Sequence, residues 1–378
     1  MQGTAAGYDL AKFAEPSALI MADYDLEQAR RSAERINRLV GQEIATAAYV
    51  NVLEPESLAS LLEQVDVAVS CVPYWMHPRI AAVALETITD MVDLGGNTDV
   101  TWQTLGLDEQ AKEAGITFVP DTGLAPGLVN SVGLAMIEAM DETEVVRLFC
   151  GVLPQNPKPP FNYMLTFNME GLVTEYDYEA VVLRDGKVSK VPTLAELERQ
   201  YIDQMGEMEA FTTSGGTSTA PYTFEGRLKD YEYKTLRFPG HAQLMRLFKD
   251  HGFWGEQPVD VKGCQVSPKD VFNTVFGPEL EKLKEHDQCA VRGIARGTKD
   301  GCPIHMQVDI YDRTDPETGF SSMERLTGFS TSIIAQNVAE GNVEKGAIRY
   351  ENAMSGQLFL EELRRRGISI RIRETIER

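Results

Sequence analysis

The five histidines and the charged groups near them are where this chain could do acid–base or metal chemistry. Two histidines stand in zinc-like pairs, His286 with Cys289 and Cys302 with His305. The residues between those pairs read as a hairpin, with strands over 290–295 and 303–310 about a turn at 298–301. Antiparallel pairing about that turn sets Cys302 opposite roughly Gly297, about eight residues or ~26 Å from Cys289. Four ligands cannot converge from there, so no metal site is expected. The five cysteines are scattered and odd in number, which argues against a disulfide scaffold.

Other candidates carry organic chemistry. His77 lies in a loop between Pro73 and Pro78, which stiffen it just past a buried strand; it is either a placed acid–base group or an inert helix start. His241 follows Gly240 at a helix start, where the dipole favours the neutral imidazole. Arg237 can hold a carboxylate with two parallel hydrogen bonds, or make a surface ion pair on an alternating strand. Lys234 flanks it, yet a period of two puts Lys234 and Arg237 on opposite faces. The run Ser214-Gly215-Gly216-Thr217-Ser218-Thr219 offers amides and hydroxyls to an anionic group, or is a plain flexible loop.

The elements that must position these groups alternate in the first third. Apolar strands over 17–22, 45–52, 66–70, 89–94 and 117–120 are separated by helices over 26–39, 56–64, 78–85 and 102–114, after an opening helix over 4–13. Short connections between them predict a Rossmann-type doubly wound parallel sheet with helices on both faces. Past Gly127 the pattern turns to α+β with a mainly antiparallel sheet. Strands are predicted over 145–152, 162–168, 176–184, 231–237 and 259–261, with helices over 128–138, 194–201 and 242–251. Helices return over 330–339 and 356–366. The reading gives a dinucleotide-binding domain over 1–127, a substrate and dimerisation domain over 128–328, and C-terminal helices over 329–378 that go back to the first domain.

Asp23 closes the second strand of such a sheet, where an acidic residue bonds the adenosine ribose and repels a 2′-phosphate; NAD is therefore expected ahead of NADP. Asp25 reads as a helix cap, and Asp23 could be only a polar strand end. Gly3 fits the last glycine of a G-x-G-x-x-G turn, 20 residues before Asp23. The first strand and two glycines would then lie upstream of Met1. The preferred expectation is a start at an internal methionine of a longer gene; the other is a native start on a degenerate fold. A net charge of −21 argues against nucleic acid as a partner. No apolar run suits a membrane span, and no signal segment opens the chain, so a cytoplasmic location is expected. The basic cluster Arg364–Arg366 with Arg371 and Arg373 reads as a solvated helix end.

Several motifs in register resemble the saccharopine dehydrogenase family. They are Ser70-Cys-Val-Pro-Tyr-Trp-Met-His77, Asp93-Leu-Gly-Gly96 and Asp121-Thr-Gly-Leu-Ala-Pro-Gly127. The stretches 210–219 and 232–241 resemble lysine 6-dehydrogenase more narrowly. The resemblance implies that Ser70, Cys71 and Val72 line the nicotinamide ribose side, that Leu124 lies near the cofactor, and that Tyr74 and His77 face substrate. It implies NAD-dependent oxidative deamination of an amino-acid amine, the ε-amine of L-lysine first, and a homodimer through the second domain. A saccharopine or other secondary-amine dehydrogenase is the alternative enzyme, and a non-catalytic dinucleotide-binding protein is the alternative from another class. Oxidising an amine needs its neutral form, so a base must take the ammonium proton. The candidates are His77, His241 and Asp121, in falling order. Ser214, Gly215, Thr217, Lys234 and Arg237 are the candidates for holding substrate.

Overall fold

The computed structural model describes residues 1–167, 169–282 and 285–376. The chain runs α1 (Gln2–Phe13), β1 (Leu19–Asp23), α2 (Leu26–Val40), β2 (Ala45–Tyr49), α3 (Pro55–Leu62), β3 (Val67–Ser70), α4 (His77–Thr87) and β4 (Asp90–Asp93). It continues through α5 (Thr98–Leu105), α6 (Asp108–Ala114), β5 (Thr117–Val119), α7 (Val129–Glu138), β6 (Glu142–Pro154), α8 (Met169–Asp177), β7 (Ala180–Arg184), β8 (Lys187–Val191), β9 (Glu198–Ile202) and β10 (Gly206–Thr212). After α9 (Ala220–Thr223) come β11 (Asp230–Arg237), α10 (His241–Asp250), the small hairpin β12 (Val259–Val261) and β13 (Cys264–Val266), and α11 (Pro268–Glu281). The hairpin β14 (Asp287–Lys299) and β15 (Cys302–Arg313) precedes α12 (Ser322–Ala339), β16 (Gly346–Ala347), α13 (Gly356–Arg365) and β17 (Ser369–Ile376).

Two compact units result. The first holds residues 1–139, 218–223 and 315–368. Its strands pair only in parallel, in two pieces ordered β1-β2 and β16-β5-β4-β3. Helices cover the strands because each apolar run must be buried on both faces. Ile80, Ala84, Met91, Leu105 and Phe118 form one buried cluster there. Asp25 caps α2 by accepting from the amides of Glu27 and Gln28. Ser321 and Glu324 close a capping box on α12, so that helix starts earlier than its apolar pattern suggests.

The second unit holds residues 140–217, 224–314 and 369–378. Its main path is β17-β15-β14-β6-β11-β10-β9, antiparallel except for the β6–β11 pair, with β7 and β8 attached beside β11. Phe149, Tyr176, Phe211, Trp254 and Phe272 anchor its core. The boundaries differ from those predicted. The first unit runs on through α7, and the last strand, β17, joins the second unit by pairing with β15.

Three elements correct the sequence reading. The predicted helix over 194–201 does not form, and its second half is β9, because pairing with β10 outweighs local helix propensity. The predicted strand over 176–184 is divided: Leu172, Val173 and Tyr176 bury one side of α8, and β7 begins only at Ala180. No strand forms over 162–167; Asn168, the end of that predicted strand, lies outside the described residues. The hairpin register sets Cys302 opposite Lys299 and Cys289 opposite Asp312. The shift from Gly297 follows from a tight two-residue turn, in which Asp300 and Gly301 both have positive φ. No helix among the described residues is long and apolar enough to cross a membrane.

The basic cluster is also corrected. Arg364 and Arg365 are exposed, but the Arg366 side chain is fully buried. It donates to Asp9 at 2.7 Å and also pairs with Glu362. Arg371 and Arg373 lie on β17, where both reach Asp203.

Candidate active site

Parallel strands present their carboxyl ends as binding edges, and in the first unit β3, β4 and β5 deliver Ser70, Asp93 and Asp121 there. Asp121 has φ of 66° and is 2% exposed. Its Oδ2 accepts from the Thr101 hydroxyl at 2.8 Å and from the Ser218 hydroxyl, and Ser218 also has positive φ. Holding two non-glycine residues in the left-handed region costs energy that the surrounding contacts must offset. Gly95 is required beside them, since a Cβ there would come 2.1 Å from Asp121 Oδ1. Burial, then the nearby Asp93, pushes the Asp121 carboxyl up to about 7, against the pull of the two hydroxyls.

Glu351 lies nearby in the same unit. The Thr219 hydroxyl is 2.9 Å from both its oxygens, and burial pushes its carboxyl up to about 7. A raised carboxyl favours the neutral form in the fold. Its contribution to stability is fully present below the ordinary value of 4.5 and is lost as pH rises through about 7. Glu351→Gln, which cannot ionise, should therefore gain in Tm relative to the wild type as pH is raised from about 5 to about 8. Parallel thermal unfolding curves at the two pH values check this, and an unchanging difference in Tm would remove Glu351 from the titration.

A narrow crevice lies at the same edge, too tight to admit a water molecule as it stands, lined by Tyr74, His77, Asp93, Gly95, Asn97, Val100, Thr101 and Thr104. His77 is buried, with Nδ1 2.9 Å from Ser70 Oγ and Nε2 3.9 Å from Asp93 Oδ1. Cys71 follows Ser70, and burial pushes its thiol up to about 12, so it carries no thiolate at neutral pH. Val72 packs on the core cluster, and Leu124 is buried in the turn after β5. Gly3 opens α1 directly against Cys71: a Cβ on Gly3 would meet that of Cys71 at 3.3 Å. No side chain caps α1, which leaves its first amides suited to an anion. Asp23 Oδ1 accepts from the amide of Asp25 at 2.9 Å.

The second unit assembles a different set. Arg237 is buried between the rings of Tyr163 and Tyr176, with its carbon 5.0 and 5.8 Å from their centroids. Its Nε donates to Tyr176 Oη at 2.9 Å, and Nη2 lies 3.4 Å from Glu175. His241 Nε2 is 3.0 Å from the same Tyr176 Oη, and Nδ1 is 3.2 Å from the Phe161 carbonyl. Burial, then the Arg237 charge, lowers His241 to about 3, so the ring is neutral near pH 7. Lys234 lies on the opposite face of β11 and is tied to Glu196 and Glu198.

The loop predicted to cradle an anion turns its hydroxyls inward. Ser214 donates to the Thr174 carbonyl and Thr217 to that of Val181, both within the second unit. Ser218 and Thr219 belong to the first unit and are used by Asp121 and Glu351. Gly215 has φ of 82° with open space about it.

Residues 2–119 match the saccharopine dehydrogenase NADP binding domain, and residues 123–368 match the saccharopine dehydrogenase C-terminal domain. The chain belongs to the saccharopine dehydrogenase family. It is 24% identical over 291 residues to a saccharopine dehydrogenase (NADP(+), L-glutamate-forming) of Pyricularia oryzae, covering 70% of this chain and 64% of that protein. It is 27% identical to the mitochondrial alpha-aminoadipic semialdehyde synthase of Bos taurus, over 86% of this chain and 42% of that one. The chain thus spans less than two thirds of the length of these curated relatives.

Among solved structures, apo histidine-tagged saccharopine dehydrogenase (L-Glu forming) from Saccharomyces cerevisiae matches with a TM-score of 0.77. That match has 18% identity and covers 99% of this chain and 98% of that one. A homospermidine synthase from Legionella pneumophila in complex with NAD matches at a TM-score of 0.61 and 12% identity, covering 95% and 92%. Both likenesses are of fold. The fold is thus the family's, a Rossmann-like parallel sheet with a second, mainly antiparallel sheet.

Sequence reasoning did not single out Thr101, Glu175, Tyr176 or Glu351 as site residues. Their partners lie 20 to 132 positions away, and no local pattern encodes such pairs. Arg237 on an alternating strand and His241 at a helix start were the signals pointing toward the cluster of Glu175 and Tyr176.

Proposed function

We propose that this chain is a nicotinamide-dinucleotide-dependent dehydrogenase that oxidises the amine of an amino acid, with the ε-amine of L-lysine as the first substrate to test. The observation that carries the reading is Asp121, a buried carboxyl pushed up to about 7 and bonded to Thr101, which lines the crevice at the strand edge. A base in that range can take a proton from a substrate ammonium at neutral pH. Thr101 Oγ1 would receive it and pass its own proton to Asp121. His241, held neutral to about pH 3, is a weak proton acceptor by comparison, and His77 has Nδ1 engaged with Ser70.

The residues at the α1 start fit a dinucleotide, because Gly3 leaves the close approach to Cys71 that a side chain would fill. Gly3, Ser70, Cys71, Val72 and Leu124 would hold it, and when bound it supplies the hydride acceptor. Removal of hydride from the carbon bearing the neutral amine leaves an iminium ion, which water hydrolyses to an aldehyde or keto acid with release of ammonium. Within the second unit, Arg237 is the group chemically suited to a carboxylate, in competition with Glu175. Cytoplasmic placement and a homodimer through the second unit remain part of this proposal.

Asp23 favours NAD by repelling a 2′-phosphate, although the matched family domain is described as NADP binding. Asp23→Ser should narrow the ratio of NAD to NADP affinity, by about 10-fold for the loss of one charge-assisted contact worth ~1.5 kcal/mol. Titration of both cofactors checks this, and an unchanged ratio would take Asp23 out of the site.

A secondary amine is the second reading, favoured by the names of the relatives, which are saccharopine dehydrogenases. Turnover with L-lysine, saccharopine and a panel of other amino acids, each with NAD and NADP, separates the two. Cofactor binding without turnover of any amine would leave the non-catalytic reading.

A further inference from the structure

Ser70 ends β3, and its Oγ lies 2.9 Å from His77 Nδ1. On the other side of that ring, Nε2 is buried, has no hydrogen-bond partner among the described residues and faces Asp93 Oδ1 at 3.9 Å. Asp93 Oδ1 already accepts the backbone N–H of Gly95 at 2.7 Å and that of Asp121 at 3.0 Å, so it turns only lone pairs toward the ring. Ser70, His77 and Asp93 are 6%, 2% and 2% exposed.

A neutral imidazole carries its proton on one nitrogen, and what each nitrogen faces decides which. A proton on Nδ1 would leave the Nε2 lone pair opposed to carboxylate lone pairs in a low-dielectric setting. A proton on Nε2 points instead at the carboxylate, and buried electrostatics make that difference count. The neutral form of His77 is therefore the Nε2–H tautomer. Nδ1 is then an acceptor, and the Ser70 hydroxyl must donate to it. With its single proton spent, Ser70 Oγ faces everything else as an acceptor only.

We infer that Asp93 and His77 are positioning residues that make Ser70 an obligate acceptor for a hydrogen-bond donor of the bound dinucleotide. This rests on the reading that the first unit binds a nicotinamide dinucleotide. Ser70 is well placed for it, because the next residue, Cys71, lies against Gly3 at the start of α1. Phosphate oxygens are acceptors and gain nothing from an acceptor-only hydroxyl. Ser70 thus reads a donor instead, either the carboxamide NH₂ of the nicotinamide or a ribose hydroxyl.

The test compares NADH and NADPH affinity, by ligand fluorescence, for the wild type and for Ser70→Ala, His77→Asn and His77→Gln. Asparagine sets its amide where Nδ1 stood and can still accept from Ser70; glutamine reaches only the Nε2 position. Ser70→Ala and His77→Gln should each weaken binding about 5- to 10-fold, the worth of one hydrogen bond, with His77→Asn within about 2-fold of the wild type. The oxidised analogue with a 3-acetyl group in place of the carboxamide names the donor, when compared with NAD. If the Ser70→Ala effect disappears with it, the donor is the carboxamide; if it persists, the donor is a ribose hydroxyl. Equal binding by His77→Gln and the wild type, or equal losses in His77→Asn and His77→Gln, would overturn the inference. Failure of the wild type to bind any dinucleotide would instead overturn the cofactor reading. The ¹⁵N shifts of His77 in the free wild-type protein decide the tautomer whatever the variants do: Nε2–H is expected, and Nδ1–H would overturn the inference.

Discussion

Replacing Asp121 by asparagine is expected to lower kcat by about 10²- to 10⁴-fold, the usual worth of a positioned general base. Asparagine keeps an oxygen for the Thr101 and Ser218 hydroxyls but cannot take a proton. The loss should fall on kcat, with cofactor affinity close to that of the wild type, because no residue of the α1 start is altered. In the wild type, kcat should rise with pH through about 7, as the carboxyl loses its proton and becomes a base. The variant should lack that limb. A variant that retains both its rate and the limb near 7 would assign the proton to another group. The pH profile is the sharper readout, since a merely structural loss lowers the rate without moving an apparent pKa.

The largest effect on stability should come from Arg366→Ala. Its guanidinium and the Asp9 carboxyl are both fully buried, and they meet at 2.7 Å between α1 and the end of α13. Removing one partner of such a pair leaves an uncompensated buried group and costs about 3–5 kcal/mol. Asp9 also receives the Ser332 hydroxyl, and burial pushes its carboxyl up to about 6 even with Arg366 beside it. Without Arg366 that carboxyl should be pushed higher still. The variant should therefore lose more stability near pH 8 than near pH 5, where Asp9 can take a proton instead. Denaturant unfolding at the two pH values checks both the size and the sign. A loss below about 1 kcal/mol would mean that water reaches the pair.

The basic run ending in Arg366 shows why some of the structure was not legible in the sequence. Three consecutive arginines at a helix end describe a solvated cluster, and for Arg364 and Arg365 they are one. Only the tertiary fold reveals that the third arginine turns inward to a residue 357 positions away. The strand ends were easier, because each apolar run stops at a polar residue: Asp23, Ser70 and Asp93 close β1, β3 and β4. The hairpin of β14 and β15 was legible from alternation around Asp300-Gly301, with an error of two positions in register.

At the site, the residue types were legible and their pairings were not. The neutral character of His241 followed from its place at the start of α10, but the depth of the shift comes from burial beside Arg237. The opposition of Lys234 and Arg237 across β11 followed from strand period alone. The loop over 214–219 looked like an open cradle because hydroxyls and glycines are what such a cradle needs. Its hydroxyls are nonetheless donated within the protein, to carbonyls and to Asp121 and Glu351, whose positions no local pattern predicts. Likewise, His77 reads as a base on type and loop position, whereas its geometry ties it to Ser70 and Asp93.

The central claim, that the chain removes hydride from a carbon bearing an amine, is tested most directly with L-lysine deuterated at the ε-carbon. The protein is incubated with the labelled amino acid and NAD or NADP, and the reduced dinucleotide is analysed by mass spectrometry. The expected result is reduced dinucleotide carrying one deuterium, formed only when both protein and amine are present; saccharopine labelled at the same carbon serves the secondary-amine reading. Absence of label from the dinucleotide with both substrates, although the protein binds the cofactor, would contradict the claim.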